Sequence, residues 1–161
     1  MPLDGKRKPQ VYVNSEFNET QGQFSPDGHW IAYVSDESGR PEIYVRPFPL
    51  AADSVKWPVS NGVTPRWRGD GRELFFLTPD YRTVMAVDVS YTPAFKTTVP
   101  APVFKATVSN RVATGGGDSA SFNWDVTADG KKFLLATIAT QDNVPQSPIS
   151  VVLNWTALLK K

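Results

Sequence analysis

Polar side chains stand at fixed offsets before three Asp-Gly pairs in this 161-residue chain, Asp27-Gly28, Asp70-Gly71 and Asp129-Gly130. Counting back from each aspartate makes Glu19, Gly62 and Ser121 equivalent, then Gln21, Thr64 and Asn123, then Gln23, Arg66 and Asp125. Carboxylates and amides are the oxygen donors that a hard divalent cation such as Ca²⁺ takes. Glu19, Asn123 and Asp125 are therefore candidate metal ligands, and a metal held there would polarise a lactone, ester or phosphotriester and activate water. The same positions support simpler chemistry. Gln21, Gln23, Arg66 and Asn123 are candidate ligand-binding residues, or Arg66 and Asp125 pair with each other while the amides hold water. His29 is the single histidine and by type the candidate catalytic proton carrier. Its place directly after Asp27-Gly28 fits an exposed hairpin turn equally well. No Gly-x-Ser-x-Gly elbow is present to recruit it into a triad. Gly115-Gly116-Gly117 lacks the strand–helix context of a phosphate cradle and reads as a loop.

The elements that must position these residues are legible as a repeat. Gln23–Tyr33, Arg66–Phe76 and Asp125–Leu135 each carry an apolar residue three before the aspartate, the Asp-Gly turn, a polar pair and an apolar run. Asp-Gly between two strand-like runs is a strong hairpin signal, because glycine accepts the positive φ such turns need. The aspartates lie 43 and 59 residues apart. The first spacing is the period of a four-stranded propeller blade. The second becomes comparable if about 16 residues near Ala113–Asp118 are a loop insertion. Further strands are expected at Glu42–Arg46, Val55–Val59, Val84–Val89, Pro102–Ala106 and Ile149–Trp155, with one helical turn at most in Thr156–Lys161. Trp57 and Trp155, in outer strands, are candidates for a subunit contact. Fourteen prolines and eleven glycines punctuate these runs and leave little room for long helices.

Composition narrows the function classes. Hydrophobic residues at 40% and charged residues at 20% are those of a globular chain. Seventeen Lys+Arg against sixteen Asp+Glu give a net charge of +1, without the concentrated basic face that nucleic acid requires. Lys6-Arg7-Lys8 reads as a solvated turn. The absence of cysteine removes disulfides, thiolate metal sites and a cysteine nucleophile. No apolar run reaches the roughly 18 residues of a membrane-spanning helix, and the N-terminus carries no apolar signal core. The expectation is therefore neither a nucleic-acid nor a membrane partner.

The segment Phe24-Ser-Pro-Asp-Gly through Ile31-Ala-Tyr-Val-Ser35, followed by Glu42-Ile-Tyr-Val45, resembles the TolB-type, WD-like β-propeller repeat. Asn18-Glu19, Pro65-Arg66-Trp67, Asp125–Gly130 and the terminal Val151-Val-Leu-Asn-Trp-Thr156 are similar to the C-terminal blades of large bacterial propellers fused to kinase-like domains. The resemblance implies an all-β propeller fold, and no kinase motif is present to imply kinase activity. With strands A to D counted from the axis outward, blades fall at about 19–60, 62–108 and 119–155. Residues 10–14 look like the D strand of a preceding blade, and the last blade supplies A, B and C. The whole chain, 1–161, thus reads as a single half-propeller of three four-stranded blades. A three-bladed ring is tighter than the four to eight blades such folds adopt. Two copies exchanging their N-terminal strands would close a six-bladed homodimer and cover the open edges. The expected function is a ligand- or protein-binding module, and its competitor is the metal-assisted hydrolase.

Overall fold

A computed structural model describes residues 11–51, 54–92, 94–106, 108, 123–137 and the backbone of 149–153. The expected Ser121, the Gly115–Gly117 loop, Phe122, Trp155 and the terminal turn at 156–161 lie outside the described residues, as do Gln10 and Lys6–Lys8. The protein is all-β, with twelve strands and no helix among the described residues.

Three sheets follow one another along the chain. The first is an antiparallel meander of β1 (Thr20–Phe24), β2 (Trp30–Ser35), β3 (Glu42–Pro47) and β4 (Trp57–Asn61), paired in that order. The second contains β5 (Val63–Trp67), β6 (Glu73–Leu77), β7 (Thr83–Ser90) and β9 (Ala101–Lys105), with the two-residue β8 (Lys96–Thr97) also paired to β7. The third contains β10 (Trp124–Val126), β11 (Lys132–Ala136) and β12 (Ile149–Leu153). Consecutive antiparallel meanders stacked face to face are the arrangement of propeller blades.

Alternation of side chains explains the stacking. Ala32, Val34, Ile43 and Val45 of the first sheet meet Trp67, Leu74, Phe76, Val87 and Val89 of the second. Phe75, Leu77, Val84, Ala86 and Val103 point the other way, onto Trp124, Phe133 and Leu135 of the third. The second sheet is therefore buried on both faces, which is why β6 reads as the unbroken apolar run Leu74-Phe-Phe-Leu77. Each fully buried phenylalanine there contributes about 1.5–3 kcal/mol of apolar transfer energy. Gly69 lets the second and third sheets approach closely, since its amide donates to Ala128 O at 2.8 Å and a Cβ would fall 2.7 Å from Ala128 Cβ.

The three hairpins form as the sequence predicts. Gly28, Gly71 and Gly130 have φ of 73°, 70° and 71°. Each aspartate accepts from the backbone amide two residues on, His29, Arg72 and Lys131, at 3.0 Å. Each is also braced from two residues before, by Ser25 Oγ and Thr127 Oγ1 at 2.5 Å and by Arg68 through two bonds of 2.8 Å. A fourth copy of this turn joins β6 to β7: Thr78 Oγ1 and the Arg82 amide both donate to Asp80, and Tyr81 stands at φ 60° where glycine is usual.

The hydrogen bonds from Arg68, and behind them that from the Arg72 amide, hold the Asp70 carboxyl at about 2, below its ordinary 3.8. A depressed carboxylate stabilises the fold above its unfolded pKa and loses that contribution as pH falls through the folded value. Thermal unfolding followed downward from about pH 3.8 to about 2 is thus expected to show a falling midpoint, with a shallower fall in Asp70→Asn.

Two segments singled out in the sequence take these positions within one chain. Residues 11–14 form no strand; Tyr12 and Val13 pack on Ile31, Tyr33 and Tyr44 of the first sheet's outward face, and Tyr12 Oη donates to Pro47 O at 2.7 Å. Within one chain this apolar face is the nearest cover for two apolar side chains. Trp57, a candidate for a subunit contact, packs within the chain through a ring 5.7 Å from Trp30 and 5.4 Å from Phe95. The pairing of β3 with β4 shifts register between Ile43 and Tyr44.

Candidate functional site

The first strands of the first two sheets, β1 and β5, share an irregularity. Pairing with the next strand slips between Thr20 and Gln23 in β1, and between Val63 and Arg66 in β5. At the slip Gln21 has φ 58° and Thr64 φ 52°, a left-handed conformation that is costly for a β-branched residue. Bonds between sheets hold it in place. The Thr64 amide donates to Gln21 Oε1 at 2.7 Å, and Trp124 Nε1 donates to Thr64 Oγ1 at 2.7 Å. One bulge position thereby ties the first strands of all three sheets together.

Beyond the bulge, equivalent residues converge. Gln23, Arg66 and Asp125 line one cleft of about 480 Å³, together with Asn123, Trp124, Leu134 and Ala136. Arg66 lines it with a side chain only 7% exposed, whereas Asp125 is 71% exposed, and Arg66 Nε stands 3.6 Å from Asp125 Oδ1. The guanidinium donates through Nη1 to Pro65 O at 2.8 Å and lies 5.8 Å over the Trp124 ring, within cation–π range. Trp124 in turn stacks on Phe133, with centroids 6.3 Å apart and planes 9° from parallel. Burial lowers the Arg66 pKa, and the neighbouring Asp125 charge partly restores it. The cleft thus presents a fixed cation, an adjacent solvated carboxylate, two amides and a small apolar wall. Its size is that of a small-molecule site.

Three of the four expected ligand-binding residues, Gln23, Arg66 and Asn123, share this cleft. Gln21 and Glu19 line a second groove of about 430 Å³ with Tyr12, Phe24, Tyr33 and Phe48, and Gln23 lines both openings. Of the three expected metal ligands, Asn123 and Asp125 are therefore together and Glu19, hydrogen-bonded to Ser15, is apart. Among the described residues, no group of three His, Asp or Glu is placed to hold a metal ion. His29 is exposed on the first hairpin, its Nδ1 3.4 Å from Asp27, and it lines neither opening. Trp124, Leu134 and Ala136 were not expected at the site. Trp124 was legible only as a packing aromatic, although it stands directly between Asn123 and Asp125.

Fold and cleft together define a module of propeller-type sheets. No family model and no curated protein matches the chain. Among solved structures it is similar to TolB from Acinetobacter baumannii, at 18% identity and a TM-score of 0.47, covering 94% of this chain and 45% of that one. It is also similar to the acylaminoacyl peptidase of Pyrococcus horikoshii, at 14% identity and a TM-score of 0.47, covering 79% of this chain and 18% of that one. The chain spans less than half the length of either. No helix among the described residues is long and apolar enough to cross a membrane.

Proposed function

We propose that this chain is a binding module of propeller type, and that the cleft beside β1, β5 and β10 takes a small organic ligand bearing a carboxylate or a similar anionic group. The observation that carries this reading is Arg66. A guanidinium removed from water costs several kcal/mol, and its planar fork matches carboxylate geometry. Here it is backed by an aromatic ring and lines a cleft rather than sitting inside a packed core. A metal-assisted hydrolase acting on a lactone, ester or phosphotriester would need Glu19 beside Asn123 and Asp125, and Glu19 lines the other groove. Binding is therefore preferred over catalysis.

Calorimetric titration with a panel of small carboxylate-bearing compounds, amino acids included, tests the reading, binding by any one of them counting as binding. Heat that saturates in the native protein and disappears in Arg66→Met supports it. Equal binding by both proteins, or by neither, would overturn it.

Closure by a second copy belongs to the same reading. The first two sheets carry a further strand, β4 or β9, on their third, whereas no described strand pairs with the outer edge of β12. Residues 10–14 of a partner would complete that edge and give a two-fold ring of six blades. Light scattering across a size-exclusion peak is expected to return twice the chain's 17.8 kDa, and the mass of a single chain would sink the ring.

A further inference from the structure

Accepting the cleft as a ligand site, the charges inside it narrow the ligand. Arg66 Nε and Asp125 Oδ1 stand side by side in the cleft, 3.6 Å apart. Asp125 also accepts from the Val126 amide at 2.9 Å, which fixes the orientation of its carboxylate. A simple monoanion docking on the guanidinium would lie against this neighbouring carboxylate and be repelled by it. A simple cation docking on Asp125 would meet the guanidinium. A molecule carrying both charges on groups borne by one carbon complements the pair. Leu134 and Ala136 line the same cleft, and Leu134 is 47% exposed, so an aliphatic group has an apolar wall to cover. The amides of Gln23 and Asn123 supply both donors and acceptors at the rim.

From this juxtaposition we infer that the ligand is a zwitterion of the α-amino acid type with an aliphatic side chain. Its carboxylate faces Arg66, its ammonium faces Asp125, and its side chain lies on Leu134 and Ala136. The ligand's own ammonium and carboxylate take over the interaction that the two side chains offer each other, so neither charge is left uncompensated when the site fills.

Three isosteric probes test this by calorimetry: L-leucine, 4-methylpentanoate, which lacks the ammonium, and 3-methylbutylamine, which lacks the carboxylate. L-leucine is expected to bind at least about tenfold more tightly than either, because it adds one charge-assisted hydrogen bond and avoids one repulsion. In Asp125→Asn that preference should collapse, with L-leucine weakened and 4-methylpentanoate strengthened. If 4-methylpentanoate equals or exceeds L-leucine in the native protein while still depending on Arg66, the zwitterion assignment is wrong and the cleft reading survives. If none of the three binds in an Arg66-dependent way, both fall. Asp125 is largely exposed, so its amide variant retains the fold, and circular dichroism of the variant confirms this independently.

Discussion

Replacing Phe133 by alanine is expected to destabilise the protein by about 3–5 kcal/mol, the range for emptying a fully buried aromatic position. Phe133 is 0% exposed and is the hub between the second and third sheets. It meets Phe75 edge-on at 5.3 Å and Phe104 at 5.0 Å, and it stacks on Trp124. No neighbour can collapse into the space without giving up its own packing, so the cavity term adds to the lost transfer energy. Urea denaturation measures the difference directly. Leu134→Ala, one residue away on the exposed side of β11, is expected to cost less than about 1 kcal/mol. The loss at Phe133 also propagates to the cleft, because that ring supports the indole that lies under Arg66.

Arg66→Met should separate stability from function. Replacing a whole buried ion pair by apolar side chains is often neutral or stabilising, and removing one partner is costly where the other is left buried and uncompensated. Asp125 keeps its solvation in that variant because it is mostly exposed. The unfolding midpoint is therefore expected to hold or rise while ligand affinity falls at least about tenfold, a loss of roughly 1.4 kcal/mol or more. A residue retained only for the fold would behave the opposite way. Should Arg66→Met lose stability by more than about 2 kcal/mol, the guanidinium would have to be regarded as part of the packing.

The repeat was legible because the turn that defines it demands specific chemistry. Gly28, Gly71 and Gly130 occupy a left-handed conformation, and the preceding aspartate accepts the amide two residues on. Where that chemistry is disguised, the sequence is silent: the turn at Thr78–Tyr81 has the same bonds with a tyrosine in the glycine position. Tyr91 and Phe95 were similarly hidden, since they sit among loop-like residues yet stack on Trp30 at 5.3 Å each. The candidate site was legible in part for a definable reason. Offsets from the Asp-Gly turn hold from the turn back to the bulge, so Gln23, Arg66 and Asp125 come together. Across the bulge the register slips, so offsets counted from the turn no longer carry over. Glu19 precedes that slip and lines the other groove, and its equivalent Gly62 is wedged between Phe76 and Ile43. No glycine or proline at Gln21 or Thr64 marks the bulge in the sequence.

The most direct test of the central claim is nuclear magnetic resonance mapping of the isotope-labelled protein during titration with L-leucine and, separately, 4-methylpentanoate. Saturable shifts confined to the Arg66 Nε–H, the Trp124 indole N–H and the side-chain amides of Gln23 and Asn123 are the predicted result. Shifts centred instead on Tyr12, Glu19 and Phe24, or no saturable shift with either probe, would contradict it.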